Sequence, residues 1–482
     1  MSTPVVSISR ETVPGSAGSV RALGALLRWG LILLLALAPL PMAAVYPWAW
    51  SLLALASGAV LLTAAARAIA ARDPDLGLSQ LRLPMALGLV VVLWIGFQQV
   101  PDAIHDWYSA LWSEAAQGLG APIRRSISLD RERSLGHLLR LLCYAGVFLS
   151  AWSAARSTAG ATGLLRAIGF IGVAYAAYGL VVYFAGNRYL LWYPKWAYQY
   201  DLTGTFVNRN SFATFLGLCL TAELGLLAQT LLLRVDGRSP WTLMQSSIEA
   251  MFYYGAPLIL GLVAIVWALL LTHSRGGVFA TVAGSAALVA AVMAAPSLRE
   301  PGRWPIAALA GCGALAMLVL AGSGLLGRVV DSASELGGRT LIYAGTLDAI
   351  ADHPVLGTGL GSFERVFPPY QPQSETHLIE FAHNDYLQNM LELGIPAAAV
   401  FYAMLALLVG STARGVFRRR RNAIFPCVGL GASVLAMAHS SVDFSMQMPA
   451  VSVTYAALLG MAVAQSEGSR KADHPASGMG TE

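Results

Sequence analysis

Residues 256–295 read APLILGLVAIVWALLLTHSRGGVFATVAGSAALVAAVMAA. The stretch is almost wholly apolar except at His273-Ser274-Arg275-Gly276-Gly277. Each flank approaches the ~20 apolar residues that a helix needs to cross a bilayer. A helix on a soluble core keeps a polar face towards water, and neither flank has one. The pair therefore reads as two membrane spans joined by a connection of a few residues.

Working outward, a scan at the same length finds twelve spans. They lie at roughly 26–45, 47–66, 84–101, 136–155, 164–186, 209–233, 252–272, 276–295, 304–324, 386–410, 424–443 and 449–466. The composition agrees: 56% of the 482 residues are hydrophobic and 12% charged, about half the charged share of a soluble domain. This excludes a soluble enzyme, a disordered scaffold and a disulfide-rich secreted module. The fold expected is an all-α polytopic membrane protein. The N-terminal apolar run passes Pro41 into a second run with no clear cleavage site, so no cleavable signal peptide is expected. Cys143, Cys219, Cys312 and Cys427 form no CxxC pair and no metal-ligand spacing, and are expected to be small core residues.

The net charge is +5. In a membrane protein such an excess reports topology rather than nucleic-acid binding, because cations are retained on the cytoplasmic side. With the N-terminus inside, the inner loops carry Arg10, Arg21 and Arg28; Arg67, Arg72 and Arg82; Arg156 and Arg166; Arg234 and Arg238; Arg299 and Arg303; Arg414 and the Arg418–Arg421 run; then Arg470 and Lys471. The outer connections near Pro47 and Met446 carry none. Both termini are thus expected to be cytoplasmic, with 1–25 an inner segment and 467–482 a disordered tail.

Three outer segments have substance. Residues 102–135 look partly amphipathic around Trp107, Tyr108, Leu111 and Trp112. Residues 187–208 are rich in aromatics (Tyr189, Trp192, Tyr193, Trp196, Tyr198, Tyr200), which form an interfacial belt or stack on sugar rings. Residues 325–385 are the longest non-spanning stretch. Leu341, Ile342, Tyr343, Leu347 and Ile350 predict a helix along the membrane surface there, followed by a turn at Gly357, Gly359 and Gly361.

The chemistry concentrates on the outer face. Arg209, within Gly204-Thr205-Phe206-Val207-Asn208-Arg209-Asn210, begins the sixth span, where free backbone N–H groups favour an anion. Arg275 begins the eighth, beside Gly276 and Gly277, which admit close approach of a ligand. His383, in His383-Asn384-Asp385-Tyr386, enters the tenth span and can accept a proton near neutrality. Arg339 and Arg365 offer further phosphate contacts, and Asp443 a partner for an active-site Arg. Asp102, His105 and Asp106 read as a polar loop cap rather than a metal site. Fixed positive charge and a base without a metal cluster suit a diphosphate-linked substrate held in the membrane.

At these residues the sequence resembles the O-antigen ligase and polymerase superfamily of bacterial membrane glycosyltransferases. The resemblance is carried by His383-Asn384, nine residues, then Gly394, in HNDYLQNMLELGI; by DHPVLGTGLGSF (352–363); by HSRGG (273–277); and by GTFVNRN (204–210). It makes 204–410 a ligase-like core with 325–385 as its periplasmic loop, flanked by membrane regions 26–203 and 411–466. It implies a GT-C-type fold in the bacterial inner membrane, an undecaprenyl-diphosphate-linked oligosaccharide donor, and inverting transfer without cofactor or metal. Carried over by motif, Arg209 and Arg275 bind the donor diphosphate and His383 is the general base. Asn384 orients the base, and Asn208, Asn210, Arg339 and Gly276 support the site. The acceptor stays open among a growing glycan, lipid A–core and a secreted protein's Ser or Thr. A polysaccharide or lipid-linked glycan transporter is the reading from another class.

Overall fold

A computed structural model of the chain describes residues 14–72, 78–103, 110–236, 239–323, 325–372 and 377–466; the side chains of 14–17, 110 and 321–337 are outside the described set. Trp107, Tyr108, His105, Asp106 and the tail 467–482 also lie outside the described residues.

The protein is an all-α polytopic membrane protein. Its helices are α1 (Pro14–Leu37), α2 (Pro47–Ala70), α3 (Arg82–Gln98), α4 (Ala110–Leu119), α5 (Arg131–Ala154), α6 (Thr158–Phe184), α7 (Arg209–Arg234), α8 (Pro240–Ala250), α9 (Ala256–Leu271), α10 (Arg275–Ala294), α11 (Arg303–Ser323), α12 (Leu325–Asp352), α13 (Phe363–Val366), α14 (Asp385–Leu393), α15 (Ile395–Arg418), α16 (Ile424–Ser440) and α17 (Pro449–Ala464). Among the described residues, ten helical segments are long and apolar enough to span a bilayer. The apolar helices α16 and α17, 17 and 16 residues long, complete the twelve expected runs. A two-stranded hairpin, β1 (Tyr189–Leu190) with β2 (Tyr193–Pro194), interrupts the helical pattern.

Helix α7 is the axis: 78% of its apolar window is buried inside the protein, against 11% for α11 at the periphery. Helices α6, α9, α10 and α16 pack around it. Hydrocarbon gives no hydrophobic drive for helices to associate, so small residues that let backbones approach do that work. The α10–α16 crossing shows it. A Cβ on Gly284 would stand 2.7 Å from the Gly431 carbonyl, and one on Gly431 2.8 Å from that of Gly284. At the α5–α17 crossing a Cβ on Gly460 would meet the Phe148 carbonyl at 2.4 Å.

Four expectations change. The first helix begins at Pro14, twelve residues before the apolar run. The seventh span is longer: a π-helical turn, Met251–Gly255, joins α8 to α9 into one 32-residue segment. The tenth span does not begin at Tyr386. Residues Asp385–Leu393 form a separate helix, and α15 starts afresh at Ile395, because Gly394 takes φ +80° and Pro396 follows in the first turn. Helix α14 buries Asp385, Gln388 and Glu392 beside Leu391, a polar face that lipid would not accept. Finally, Cys312 is exposed on peripheral α11, whereas Cys143, Cys219 and Cys427 are core residues.

The expected helix through Leu341 and Ile350 is the second half of α12, which packs on α14. The glycine turn that follows is bolted to the same helix. Gly359 N–H donates to the Glu392 carbonyl at 2.9 Å, Gly361 N–H to Glu392 Oε2 at 2.7 Å, and Ile395 N–H to the Pro354 carbonyl at 2.8 Å. Gln98 of α3 donates to the carbonyls of Leu356 and Glu392. The glycine turn of the long loop is therefore tied to α3 and to the α14–α15 junction that follows His383.

Candidate functional site

Three of the four flagged motifs are capped helix starts. Asn208 Oδ1 accepts from the N–H groups of Asn210 (2.7 Å) and Ser211 (3.3 Å), opening α7 with Arg209 as its first residue. Ser274 Oγ accepts from Gly277 N–H at 3.2 Å and opens α10 with Arg275. Asn384 Oδ1 accepts from Tyr386 (3.0 Å) and Leu387 (3.1 Å) and opens α14. A side-chain oxygen at the cap satisfies donors that the helix itself cannot. The uncapped N–H groups and the helix dipole leave each start electropositive.

Two carboxylates organise the side chains around these starts. Asp443, in the turn between α16 and α17, is the first. Asn210 donates to its Oδ2, and Arg339 Nη2 stands 3.7 Å from the same oxygen. Arg339 Nη1 also donates to the Val442 carbonyl at 2.9 Å. His383 Nδ1 lies 3.4 Å from Asp443 Oδ1, an ion-pair distance without hydrogen-bond alignment. His383 is held by its backbone: φ is +52°, Tyr343 Oη donates to its carbonyl at 2.8 Å, and Phe444 packs edge-on against its ring at 4.9 Å. Burial alone would push the Asp443 carboxyl up; His383, His439 and Arg339 outweigh it and hold Asp443 below the usual carboxylate range.

Asp201 is the second. Its Oδ2 accepts from Arg209 Nη1 at 3.0 Å, and its Oδ1 faces His273 Nδ1 at 2.8 Å. Burial pushes its carboxyl up, but His273 and Arg209 prevail and lower it. Lys195, mostly buried, donates to the Asp201 carbonyl at 2.6 Å and to Asn187 Oδ1 at 3.0 Å; burial pushes its ammonium down to about 8, against the pull of Asp201. The two centres are neighbours. Tyr198 carries the Arg209 guanidinium 5.5 Å over its ring, accepts from Asn208 Nδ2 at 3.5 Å, and lies within electrostatic reach of Asp443, Asp201 and Arg339. Gly276 closes the third side, where a Cβ would meet Val442 at 3.3 Å and His439 Nε2 at 3.8 Å.

The structure thus brings together Arg209, Asn208, Asn210, Arg339, His383, Asn384 and Gly276, with Arg275 on the first turn of α10 beside them. Among the described residues Arg275 has no hydrogen-bond or ion-pair partner. Asn384 does not reach the His383 ring: its amide caps α14, and its Nδ2 donates to the Ser441 carbonyl at 3.1 Å, pinning the Asp443 turn against the His383 segment. Arg365 goes elsewhere, 3.5 Å from Asp130 at the start of α5. Asp443 does pair with an arginine, Arg339. Sequence reasoning missed Asp201, His439 and the role of Tyr198. The signal available for Asp201 was its place eight residues before Arg209 in an aromatic loop. The remaining aromatics of that loop, Tyr189, Trp192, Tyr193, Trp196 and Tyr200, are exposed.

Beneath the site, Asp385 accepts from Ser440 Oγ at 2.9 Å and from Gln447 Nε2 at 3.3 Å, and its burial pushes the carboxyl up to about 7. Glu392, which anchors the glycine turn, is likewise pushed up to about 7 by burial.

Three arginines, two carboxylates and three imidazoles meet at one end of the bundle of this polytopic membrane protein, an arrangement that can hold an anion next to a proton acceptor. Residues 260–402, under a third of the chain, match a family model described as O-antigen ligase. That stretch contains His273, Arg275, Arg339 and His383; Asp201, Arg209 and Asp443 lie outside it. The match supports an O-antigen ligase-type membrane glycosyltransferase. No curated protein matches the chain.

Proposed function

We propose that the protein transfers glycan from undecaprenyl diphosphate at the periplasmic face of the bacterial inner membrane, in O-antigen or exopolysaccharide polymerisation or ligation. The observation that carries this is the convergence of His383, Arg339 and Asn210 on Asp443, beside the helix starts of Arg209 and Arg275. With Nδ1 of His383 turned to Asp443, Nε2 is left to take the proton of the acceptor hydroxyl. The acceptor oxygen then attacks the anomeric carbon. The bond from that carbon to the diphosphate oxygen breaks, its electron pair leaves with undecaprenyl diphosphate, and a single displacement inverts the centre. Asp443 stabilises the imidazolium that forms, and Arg209 and Arg275 stabilise charge growing on the leaving group. Asn208, Asn210, Asn384 and Gly276 hold these groups in place, and no step calls for a metal or cofactor.

The acceptor is tested with purified protein in lipid nanodiscs with EDTA and one lipid-linked repeat unit. A ladder of lengthening glycan marks a polymerase. Release of undecaprenyl diphosphate only when lipid A–core is added marks a ligase, and release only with a Ser- or Thr-bearing protein marks a protein oligosaccharyltransferase. Translocation of the lipid-linked glycan with its diphosphate bond intact would replace this reading by a transporter.

A further inference from the structure

His273 is a second imidazole in the site and the transfer step leaves it unused. Its Nδ1 lies 2.8 Å from Asp201 Oδ1. A carboxylate oxygen only accepts, so Nδ1 carries the hydrogen. In the neutral ring Nε2 is then a bare lone pair, and only the imidazolium carries N–H there. A phosphate oxygen, itself a lone pair, is repelled by the first form and hydrogen-bonded by the second. A docked anion selects the second. Asp201 accepts from Nδ1 while also engaging Arg209, so part of Arg209's charge is spent at the carboxylate. Arg275 follows two residues later at the electropositive start of α10. The His273 side chain remains about 29% exposed, and its backbone, at φ +51°, is fixed in the tight α9–α10 connection.

We propose that His273 is a donor-binding residue that picks up one proton from solvent as the lipid diphosphate docks and returns it when the diphosphate product leaves. This rests on the diphosphate reading above. The site then divides its imidazoles. His273, oriented by Asp201, holds the anion as a cation; His383, oriented by Asp443, receives the acceptor's proton. The charged and titratable groups around His273 are Asp201, Lys195 and Tyr198 of the 185–208 segment, Arg209 of α7 and Arg275 of its own turn, with Asp443, Arg339, His383 and His439 of α16 in the neighbouring centre. Docking of an anion raises the affinity of His273 for its proton, so by linkage the ligand is held most tightly at low pH and released as pH rises.

The test is the affinity of protein in nanodiscs for a prenyl diphosphate ester of N-acetylglucosamine. Each of its phosphates carries one ester and one anhydride bond and lacks the second ionisation that a monoester shows near pH 6, so its charge does not change from about pH 5.5 to about 8.5. Wild-type affinity is expected to fall with rising pH, approaching about tenfold per pH unit for one coupled proton. His273→Gln is expected to flatten the dependence at the weak, high-pH level, and His383→Gln to keep it. Calorimetry of the wild type in two buffers of different ionisation enthalpy should show proton uptake on binding, a readout that needs no variant. Binding without pH dependence or proton uptake, or a dependence that survives in His273→Gln and vanishes in His383→Gln, overturns the proposal. Failure of the wild type to bind at any pH strikes the diphosphate reading itself.

Discussion

Replacing Asp443 by Asn separates the work of the base from the binding of the donor. The substitution keeps the shape of the side chain and removes its charge. In the transfer step His383 becomes an imidazolium 3.4 Å from Asp443 Oδ1. At an effective dielectric of about 20, two unit charges at that distance attract by about 5 kcal/mol. The pair is well buried on the Asp443 side, 3% exposed, and partly open on the His383 side, 29% exposed, so screening removes part of this. A remainder of about 3–5 kcal/mol matches the 10²–10⁴-fold that a general base contributes. The turnover number of Asp443→Asn should accordingly fall by about 10²–10⁴-fold. Donor affinity should hold or improve, because loss of the carboxylate frees Arg339 and leaves the site more positive. The assay is release of undecaprenyl diphosphate by purified protein in nanodiscs, read by mass spectrometry over a range of donor concentrations. A variant that keeps wild-type turnover within a fewfold, with only its KM raised, would refute the role given to Asp443.

Three other outcomes follow from the same geometry. Arg275→Ala should weaken donor binding by about 10- to 100-fold, the range of a charge-assisted contact to phosphate of about 1.5–3 kcal/mol, measured as the donor's Kd in nanodiscs. Gly394→Ala puts a Cβ 2.1 Å from the Val355 carbonyl in a backbone at φ +80°; it should cost at least about 1–3 kcal/mol and lower the unfolding temperature in detergent. Burial holds Glu392 at about 7 rather than its ordinary 4.5. Because its folded pKa is raised, the stability it contributes is full below about pH 4.5 and is lost as pH rises through about 7. Its share, about 3 kcal/mol, should appear as a fall in unfolding temperature between about pH 5 and 8 that shrinks in Glu392→Gln.

The parts legible in the sequence were those with a local signature. Arg209 and Arg275 stood out because a cation at the start of an apolar helix is costly unless it serves something. His383 stood out because it opens a span after the longest loop. The inner arginines ordered the twelve runs. What escaped notice depends on distance along the chain. Asp443 was in view as a partner for an arginine, but its link to His383, 60 residues earlier, and to Arg339, over 100 earlier, shows only where the turn after α16 meets α12 and the end of the long loop. Asp201 sits in a loop without periodicity, where an acidic residue reads as a solvated turn. The break at Gly394 was hidden because Leu391, Leu393 and Ile395 look continuous, whereas the buried Glu392 between them marks α14 as part of the loop's anchor. The three asparagine and serine caps were in view within the motifs, but their commitment to backbone N–H groups shows only in the folded geometry.

The most direct measurement of the central claim is release of undecaprenyl diphosphate from the native lipid-linked repeat by purified protein in EDTA, wild type against His383→Ala. The account predicts release by the wild type and a loss of about 10²–10⁴-fold in the variant, with the variant still folded and still binding donor. Release that survives in His383→Ala, or a wild type that never cleaves the diphosphate bond with any acceptor, would contradict it.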